Sequence, residues 1–393
     1  MLTLLYGSIY TTSSSREYAN AMNVLFVSND KNLFVSGSDV RRRMHEYAST
    51  IGTLHVISRA PAAAKFVQEG NLFLHPHTGS RLSMHKKARA LITQYGIEVV
   101  SAQDPFEHGY IALKAVKGTR ARLHIQVHVD FLSPWFVKGG GFRSPQVPVP
   151  LLNHVRRYLA DRVLPKATGI RVVSERIRTS LLKRYEGQIP DPSIIPVAVS
   201  SVIPPPTPLP EHPFSFALIT AGRLEPEKRI EDILYALARI HFSYPSVGLF
   251  IVGTGREEAK LKKLTKKLGL SNNVIFITEW RTDVLGLMQS AQAYIQASAY
   301  EGYSRTLVEA ALARIPIITT DVGLVGEVFS GYKEVLAAPV ADPAALAVHI
   351  RGIVDDHQAR VLLVKEAERT VQEHLREVGN VPERVSEDLK KLV

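Results

Sequence analysis

Short β-rich runs alternate with longer helical patterns along the whole chain, on both sides of one proline-rich stretch. Before that stretch "NVLFVS", "TLHVIS", "EVVSAQ", "LHIQVHV" and "GIRVVS" read as buried strands. Between them "GSDVRRRMHEYASTIG", "LSMHKKARALITQYG" and "PFEHGYIALKAVKG" carry helical spacing. After it "FALITAG", "VGLFIVG", "VIFIT", "AYIQAS" and "IPIIT" are the strands, and "KRIEDILYALARIHF", "REEAKLKKLTKKLG", "TDVLGLMQSA" and "RTLVEAALAR" the helices. Strand–helix alternation implies parallel sheets joined by right-handed crossovers. The chain is therefore expected to be α/β, with two doubly wound, Rossmann-like domains facing each other across a cleft. Ligands of such sheets bind beyond the carboxyl ends of the strands.

The divider is "PPPTPLPEHP", with six prolines between Pro204 and Pro213. Proline fixes φ and removes a backbone donor, so this segment is a linker. The expected organisation is an N-terminal extension over 1–21, a basic Rossmann-like domain over 22–203, the linker over 204–213, and a second Rossmann-like domain over 214–375. A C-terminal helix over 376–393 would pack back on the first domain. The extension's apolar run is short and lacks a basic leader, which argues against a secretory signal. Met22 opens the first clean strand, so 1–21 reads as a loose extension or an upstream start.

Charge is distributed unevenly. Residues 1–205 hold 26 Lys+Arg against 13 Asp+Glu, whereas the remainder holds 22 against 24. The basic half attracts anions: nucleic acid, acidic lipid headgroups or phosphorylated substrates. It lacks aromatic-interleaved basic motifs and helix-turn-helix spacing, so no nucleic-acid partner is expected. The chain has no cysteine, which excludes disulfides and thiolate metal sites and fits a cytoplasmic location.

The stretch "AYIQASAYEGYSRTLVEAALARIPIITT" sets two carboxylates, Glu301 and Glu309, among apolar and small residues. Glu301 falls in the loop at a strand's carboxyl end. Glu309 falls on the next helix, which Ser304 can cap. The helix start at Ser304, Arg305 and Thr306 presents unpaired N–H groups and a positive dipole end, an anion site that the two carboxylates bracket. The plainer reading makes Glu301 a turn cap and Glu309 a surface ion-pair partner. In "ITAGRLEPEKRIEDILYAL", Arg223 and Lys228 follow another strand end and suit a diphosphate, unless Glu225 and Glu227 absorb them. "VGTGREE" places Gly253 and Gly255 in a G-x-G that a tight turn explains as well.

The order "GRLEPEK", "VGTG", "EGYSRTLVE", "IPIITT" resembles the C-terminal domain of retaining GT-B glycosyltransferases of family GT4, also called glycosyl transferases group 1. The resemblance implies a GT-B fold. It implies that Glu301 contacts hydroxyls of the transferred sugar, Glu309 the nucleotide ribose, and Arg223 with Lys228 the diphosphate. Departures stand at Ser304, Arg305 and Arg314, where the family has a small or glycine residue, a bulky apolar one, and glycine. Leu324 replaces a second glycine after Gly323, with Glu327 following in place.

The first half resembles the family more loosely. Gly37 and Ser38 open a helix, either as an ordinary N-cap or with N–H groups toward the donor phosphates. His128 ends a strand where these enzymes place a histidine near the donor sugar, with Asp130 beside it. Asp104 either binds an acceptor hydroxyl or caps a helix near Pro105. Trp135 and Phe136 lie in a Gly/Pro-rich loop that either folds on its own core or meets a membrane or acceptor.

No D-x-D pattern or metal-ligand spacing is present, so metal-independent transfer is expected. The implied function is a retaining hexosyltransferase using a nucleotide diphosphate sugar, UDP- or GDP-linked, as co-substrate and needing no other cofactor. Its acceptor would be a glycan or lipid-linked hydroxyl, with peripheral contact between the basic domain and the inner face of an anionic membrane. The alternatives are a non-catalytic nucleotide-sugar-binding GT-B protein and a GT-B-type sugar-nucleotide epimerase.

Overall fold

The computed structural model describes residues 22–138, 142–144, 147–279 and 281–393. The expected extension over 1–21 lies outside these residues. The chain divides into two compact units: Met1–Gln103 with His108–His124 and Pro382–Val393, and Asp104–Glu107 with Ile125–Val381.

In the first unit five strands, β1 (Met22–Ser28), β2 (Gly52–Arg59), β3 (Val67–Glu69), β4 (Leu72–His77) and β5 (Val99–Ala102), lie in the order β5-β1-β2-β4-β3. All neighbours are parallel except β3 and β4. Val24, Leu25, Phe26 and Val27 of β1 are fully buried, as a strand covered on both faces requires. The helix Asp39–Ile51 connects β1 to β2. It starts where the Ser38 hydroxyl accepts from the Arg41 N–H at 3.2 Å. Arg41 turns inward to pair with Glu69 through Nε at 2.8 Å, while Arg42 stays exposed beside Asp39. The C-terminal residues belong to this unit. Ser386 Oγ donates to the Thr50 carbonyl at 2.7 Å, and buried His124 bridges Ser101 and Asp388.

Strand β6 (Arg122–Val127) starts in the first unit and ends in the second. The second unit adds a short antiparallel pair, β7 (Phe142–Ser144) and β8 (Val147–Pro148), then β9 (Gly169–Val172) and β10 (Ser193–Ile194), with β9 next to β6. Its larger sheet has six strands: β11 (Phe216–Ala221), β12 (Val247–Val252), β13 (Val274–Ile277), β14 (Ala293–Ile295), β15 (Ile317–Thr320) and β16 (Leu336–Ala338).

This sheet is wholly parallel in the order β13-β12-β11-β14-β15-β16. Its core joins Leu218, Leu249, Ile251 and Ile295 to Ile233, Leu237 and Ile350 of the covering helices. The chain builds outward from β11 to β13, then returns to lay β14 on the other side of β11. That reversal opens a crevice beyond the carboxyl ends of β11 and β14. The linker runs without regular structure and packs on the helix Val284–Gln289, where a Cβ on Gly286 would meet the Thr207 hydroxyl at 2.6 Å.

Candidate functional site

The two loops at this reversal carry the charged residues of both motifs. After β11 the backbone turns at Gly222 (φ 150°), passes Arg223 and makes a single 3₁₀ turn over Pro226–Lys228. After β14 the chain runs through Gln296, Ser298 and Glu301. The Ala299 N–H donates to the Glu227 carbonyl at 2.8 Å, tying the loops together. Lys228 Nζ pairs with Glu301 Oε1. Ser298 Oγ donates to the same carboxylate oxygen at 2.7 Å, and Thr320 Oγ1 holds the Ser298 carbonyl at 2.6 Å. Arg223 is exposed and makes a 3.1 Å contact with Glu227. Gly222, Arg223, Lys228, Tyr294, Gln296 and Ser298 line one small crevice here.

Ser304 stands before the helix Arg305–Leu312 in the left-handed conformation (φ 66°), and its hydroxyl makes no cap bond. It accepts instead from Gln296 Nε2 at 3.3 Å, and close beside it a Cβ on Gly323 would lie 2.8 Å from Ser304 Oγ. Thr306 is held by the Tyr294 hydroxyl at 2.9 Å and by Gln296 Oε1 at 3.2 Å. Glu309 is paired with Arg305, Nε to Oε1 at 3.0 Å. Burial pushes the Glu309 carboxyl above the ordinary carboxylate range, and Arg305 draws it partly back. The fully buried Tyr294 hydroxyl lies within electrostatic reach of both Glu301 and Glu309, which add to the upward push of burial on its pKa. Arg314 takes a left-handed turn (φ 59°), the conformation that glycine adopts most easily, and is held by Glu368 at 2.7 Å.

The other expected site residues fall into distinct settings. Gly253 and Gly255 pack against the β11 loop. A Cβ on Gly253 would meet the Gly222 carbonyl at 2.0 Å, and one on Gly255 the Leu224 carbonyl at 2.3 Å. Those contacts account for both glycines. His128 is exposed, with Nε2 3.0 Å from Gln126 Oε1. Its carbonyl sits so close to Gly302 that a Cβ there would lie at 2.1 Å. The His128 backbone therefore abuts the turn that carries Glu301. Asp130 is partly buried and accepts from the Ser133 N–H at 3.2 Å. Burial raises its pKa against the pull of Arg176 and Arg157. Asp104 accepts from the Phe106 N–H at 2.8 Å, the turn that precedes the helix Glu107–Val116. Gly37 and Ser38 belong to the first unit, where Ser38 is a helix cap.

The family model described as glycosyl transferases group 1 matches residues 211–370, which contain Arg223, Lys228, Gly253, Gly255, Glu301 and Glu309. This stretch is a glycosyl transferases group 1 domain. Over 144 residues, 36% of this chain and 34% of the relative, the chain is 34% identical to glycogen synthase of Mycobacterium tuberculosis. It is 27% identical over 185 residues, 46% of this chain, to the GtfA subunit of the UDP-N-acetylglucosamine–peptide N-acetylglucosaminyltransferase of Streptococcus gordonii, of which it covers 36%. The matched stretches thus span about a third of these curated relatives. The fold is shared over nearly the full chain. Sucrose-phosphate synthase from Thermosynechococcus elongatus aligns with TM-score 0.77 over 94% of this chain and 99% of its own, at 17% identity. Anabaena HepE, solved with UDP and glucose, aligns with TM-score 0.71 over 94% and 100%, at 19% identity. The architecture is GT-B.

The group 1 domain shares a cavity of about 340 Å³ with the segment after β6. Asp130, Trp135, Arg176, Tyr300, Glu301 and Asp321 are among its walls. Phe136 is buried against Phe106, Phe131 and Tyr300, whereas the Trp135 ring lies under the Arg229 guanidinium at 5.5 Å. No sequence motif marks Arg176. It donates to Asp321 Oδ1 at 2.7 Å and to the Val325 carbonyl at 2.5 Å. Glu327 accepts from the Glu175 and Arg176 N–H groups at 2.9 and 3.3 Å, capping the helix Glu175–Tyr185. These bonds hold the Asp321–Glu327 loop, whose Gly323 abuts Glu301. The only hint of Arg176 in the sequence was its place just after the strand "GIRVVS".

Proposed function

We propose that this protein transfers a hexose from a UDP- or GDP-linked sugar to a hydroxyl of a glycan or lipid-linked acceptor, keeping the anomeric configuration and using no metal. The observation that carries the reading is the Lys228–Glu301 pair at the reversal of the group 1 sheet. A cation and a carboxylate fixed side by side suit a ligand with phosphate at one end and hydroxyls at the other.

In this reading Glu301 and His128 face the sugar, and Glu309 takes the ribose hydroxyls. Lys228, Arg223 and the N–H groups at Ser304, Arg305 and Thr306 neutralise the diphosphate, while Gly253 and Gly255 let the neighbouring loop approach it. The bond between the anomeric carbon and the phosphate oxygen breaks. The acceptor oxygen bonds to that carbon from the same face, and its proton passes to the leaving diphosphate. Stabilising the departing charge is the chain's main contribution. Asp130 and Asp104 are assigned to the acceptor side with Arg176 and Trp135.

Gly37 and Ser38 are assigned to the donor phosphates. The domain division at 204–213 is proposed to separate the acceptor and donor halves. No described helix is long and apolar enough to cross a membrane. Peripheral contact with anionic lipid on the cytoplasmic side is supported by the helix Val149–Val163. Its residues Leu151, Val155 and Tyr158 are exposed by 59%, 49% and 55% and form one stripe with Arg162. Calorimetry across UDP, GDP and ADP sugars, with product configuration read by NMR, tests the transfer. Flotation with acidic against neutral liposomes tests the lipid contact.

A further inference from the structure

The Arg305–Glu309 pair runs against helix electrostatics. Arg305 is the first residue of its helix, at the positive end of the dipole, where a cation is disfavoured. A cation four residues before an anion is also the weaker orientation of an i,i+4 pair. Helix stability therefore does not explain an arginine here. Its neighbours are committed: Ser304 to Gln296, Thr306 to Tyr294 and Gln296. Arg305 is 54% exposed, while the Glu309 side chain it holds is 14% exposed. An exposed, long side chain thus occupies the recessed carboxylate assigned above to the ribose.

We propose that Arg305 is a specificity-determining residue that exchanges partners when the donor binds. Ribose hydroxyls displace its guanidinium from Glu309, and the freed guanidinium turns to the diphosphate beside the helix start. The inference rests on the proposed nucleotide-sugar site. Its consequence is discrimination between ligands that share a ribose but differ in charge. A bare nucleoside must displace Arg305 and offers it nothing in return. A nucleoside diphosphate gives the guanidinium a new charge-assisted partner.

The test is calorimetric titration of the full-length protein and its variants with UDP, GDP and ADP and with uridine, guanosine and adenosine. With the base that binds, Arg305→Leu should bind the nucleoside about threefold tighter and the diphosphate about tenfold weaker, as expected for one charge-assisted hydrogen bond gained or lost. Arg305→Lys keeps the charge and should stay closer to the parent than Arg305→Leu does. Thermal melts confirm that each variant is folded. An unchanged diphosphate-to-nucleoside ratio in a folded Arg305→Leu protein overturns the exchange. So does equal weakening of both ligands. Failure of the underlying site looks different: the parent binds none of the diphosphates, or Glu309→Gln binds them as the parent does.

Discussion

Lys228 and Glu301 lie 73 residues apart and form one ion pair in the crevice where the six-stranded sheet reverses its order. Lys228 closes a single 3₁₀ turn and Glu301 lies in a loop. Each follows the carboxyl end of one of the two central strands, β11 and β14, whose parallel pairing brings the loops together. The pair is well shielded, and Ser298 adds a hydroxyl to the same carboxylate. Lys228→Met removes the cation assigned to the leaving diphosphate. Its kcat should fall by about 10²–10³, the usual cost of losing one preorganised charge-stabilising donor. Steady-state kinetics checks this, and KM should change far less than kcat.

Gly302 packs directly against backbone at the site. A Cβ there would lie 2.1 Å from the His128 carbonyl oxygen and 2.7 Å from its carbon, and neither atom can move as a side-chain tip would. Gly302→Ala should cost about 2–4 kcal/mol of stability, as overpacking against backbone does, and should displace Glu301. Thermal or urea unfolding measures the first effect. Loss of donor affinity measures the second.

Glu309 separates stability from binding. Burial raises its pKa in the folded chain above the ordinary 4.5. A raised folded value means that its favourable contribution is complete below that ordinary value and is lost as pH climbs through the raised one. At neutral pH the charged side chain is therefore a burden on the fold. Glu309→Gln should melt no lower than the parent at pH 7 and yet lose donor affinity by about tenfold or more. Paired melting and calorimetry at that pH check both halves.

A pH effect unconnected with catalysis is expected in the first unit. His55 and His75 are buried, with Nδ1 of one 3.0 Å from Nε2 of the other, and stack with Phe73 and Tyr95 or Phe66. Burial lowers both from 6.5 to about 4, and for His75 the neighbouring His55 and Lys87 add to it. The unfolded chain then binds more protons than the folded one between these values. Stability is full above about pH 6.5 and falls as pH drops toward 4, by roughly 3 kcal/mol for one such group. Urea midpoints from pH 7 to 4 should show the decline. His75→Phe, which removes one titrating ring, should flatten it.

Arg176 gives a prediction outside both motifs. It holds Asp321 and the Val325 carbonyl, and so the loop whose Gly323 rests on Glu301. Arg176→Ala should raise KM several-fold through loosened positioning, with kcat lowered less than in Lys228→Met. Arg176→Lys keeps the charge but not the fork, and should restore only part of the loss.

The alternation of buried strands with amphipathic helices made the sheet class legible, because the inner strands β11, β12, β14 and β15 of the large sheet are buried and read as apolar runs. The loop charges were legible too, since Glu301, Arg223 and Lys228 stand just past such runs. What lay beyond local pattern was partner choice. Nothing around Arg41 signals that Glu69 draws it inward, or that Arg176 reaches Asp321 across 145 residues. In the helix 149–163 Asn153, Arg156 and Arg157 interrupt the inward face, which obscures its helical spacing. Gly253 and Gly255 read as a G-x-G open to a donor contact or a tight turn, and close packing on Gly222 and Leu224 is reason enough for them.

The most direct test of the central claim is calorimetric titration of the parent and Glu301→Ala with UDP-, GDP- and ADP-linked hexoses, with sugar release or transfer followed in parallel. The account predicts that the parent binds one of these donors and turns it over, and that Glu301→Ala, while folded, loses turnover by about 10² or more. A parent that binds none of them, or a Glu301→Ala protein that binds and turns over like the parent, would contradict it.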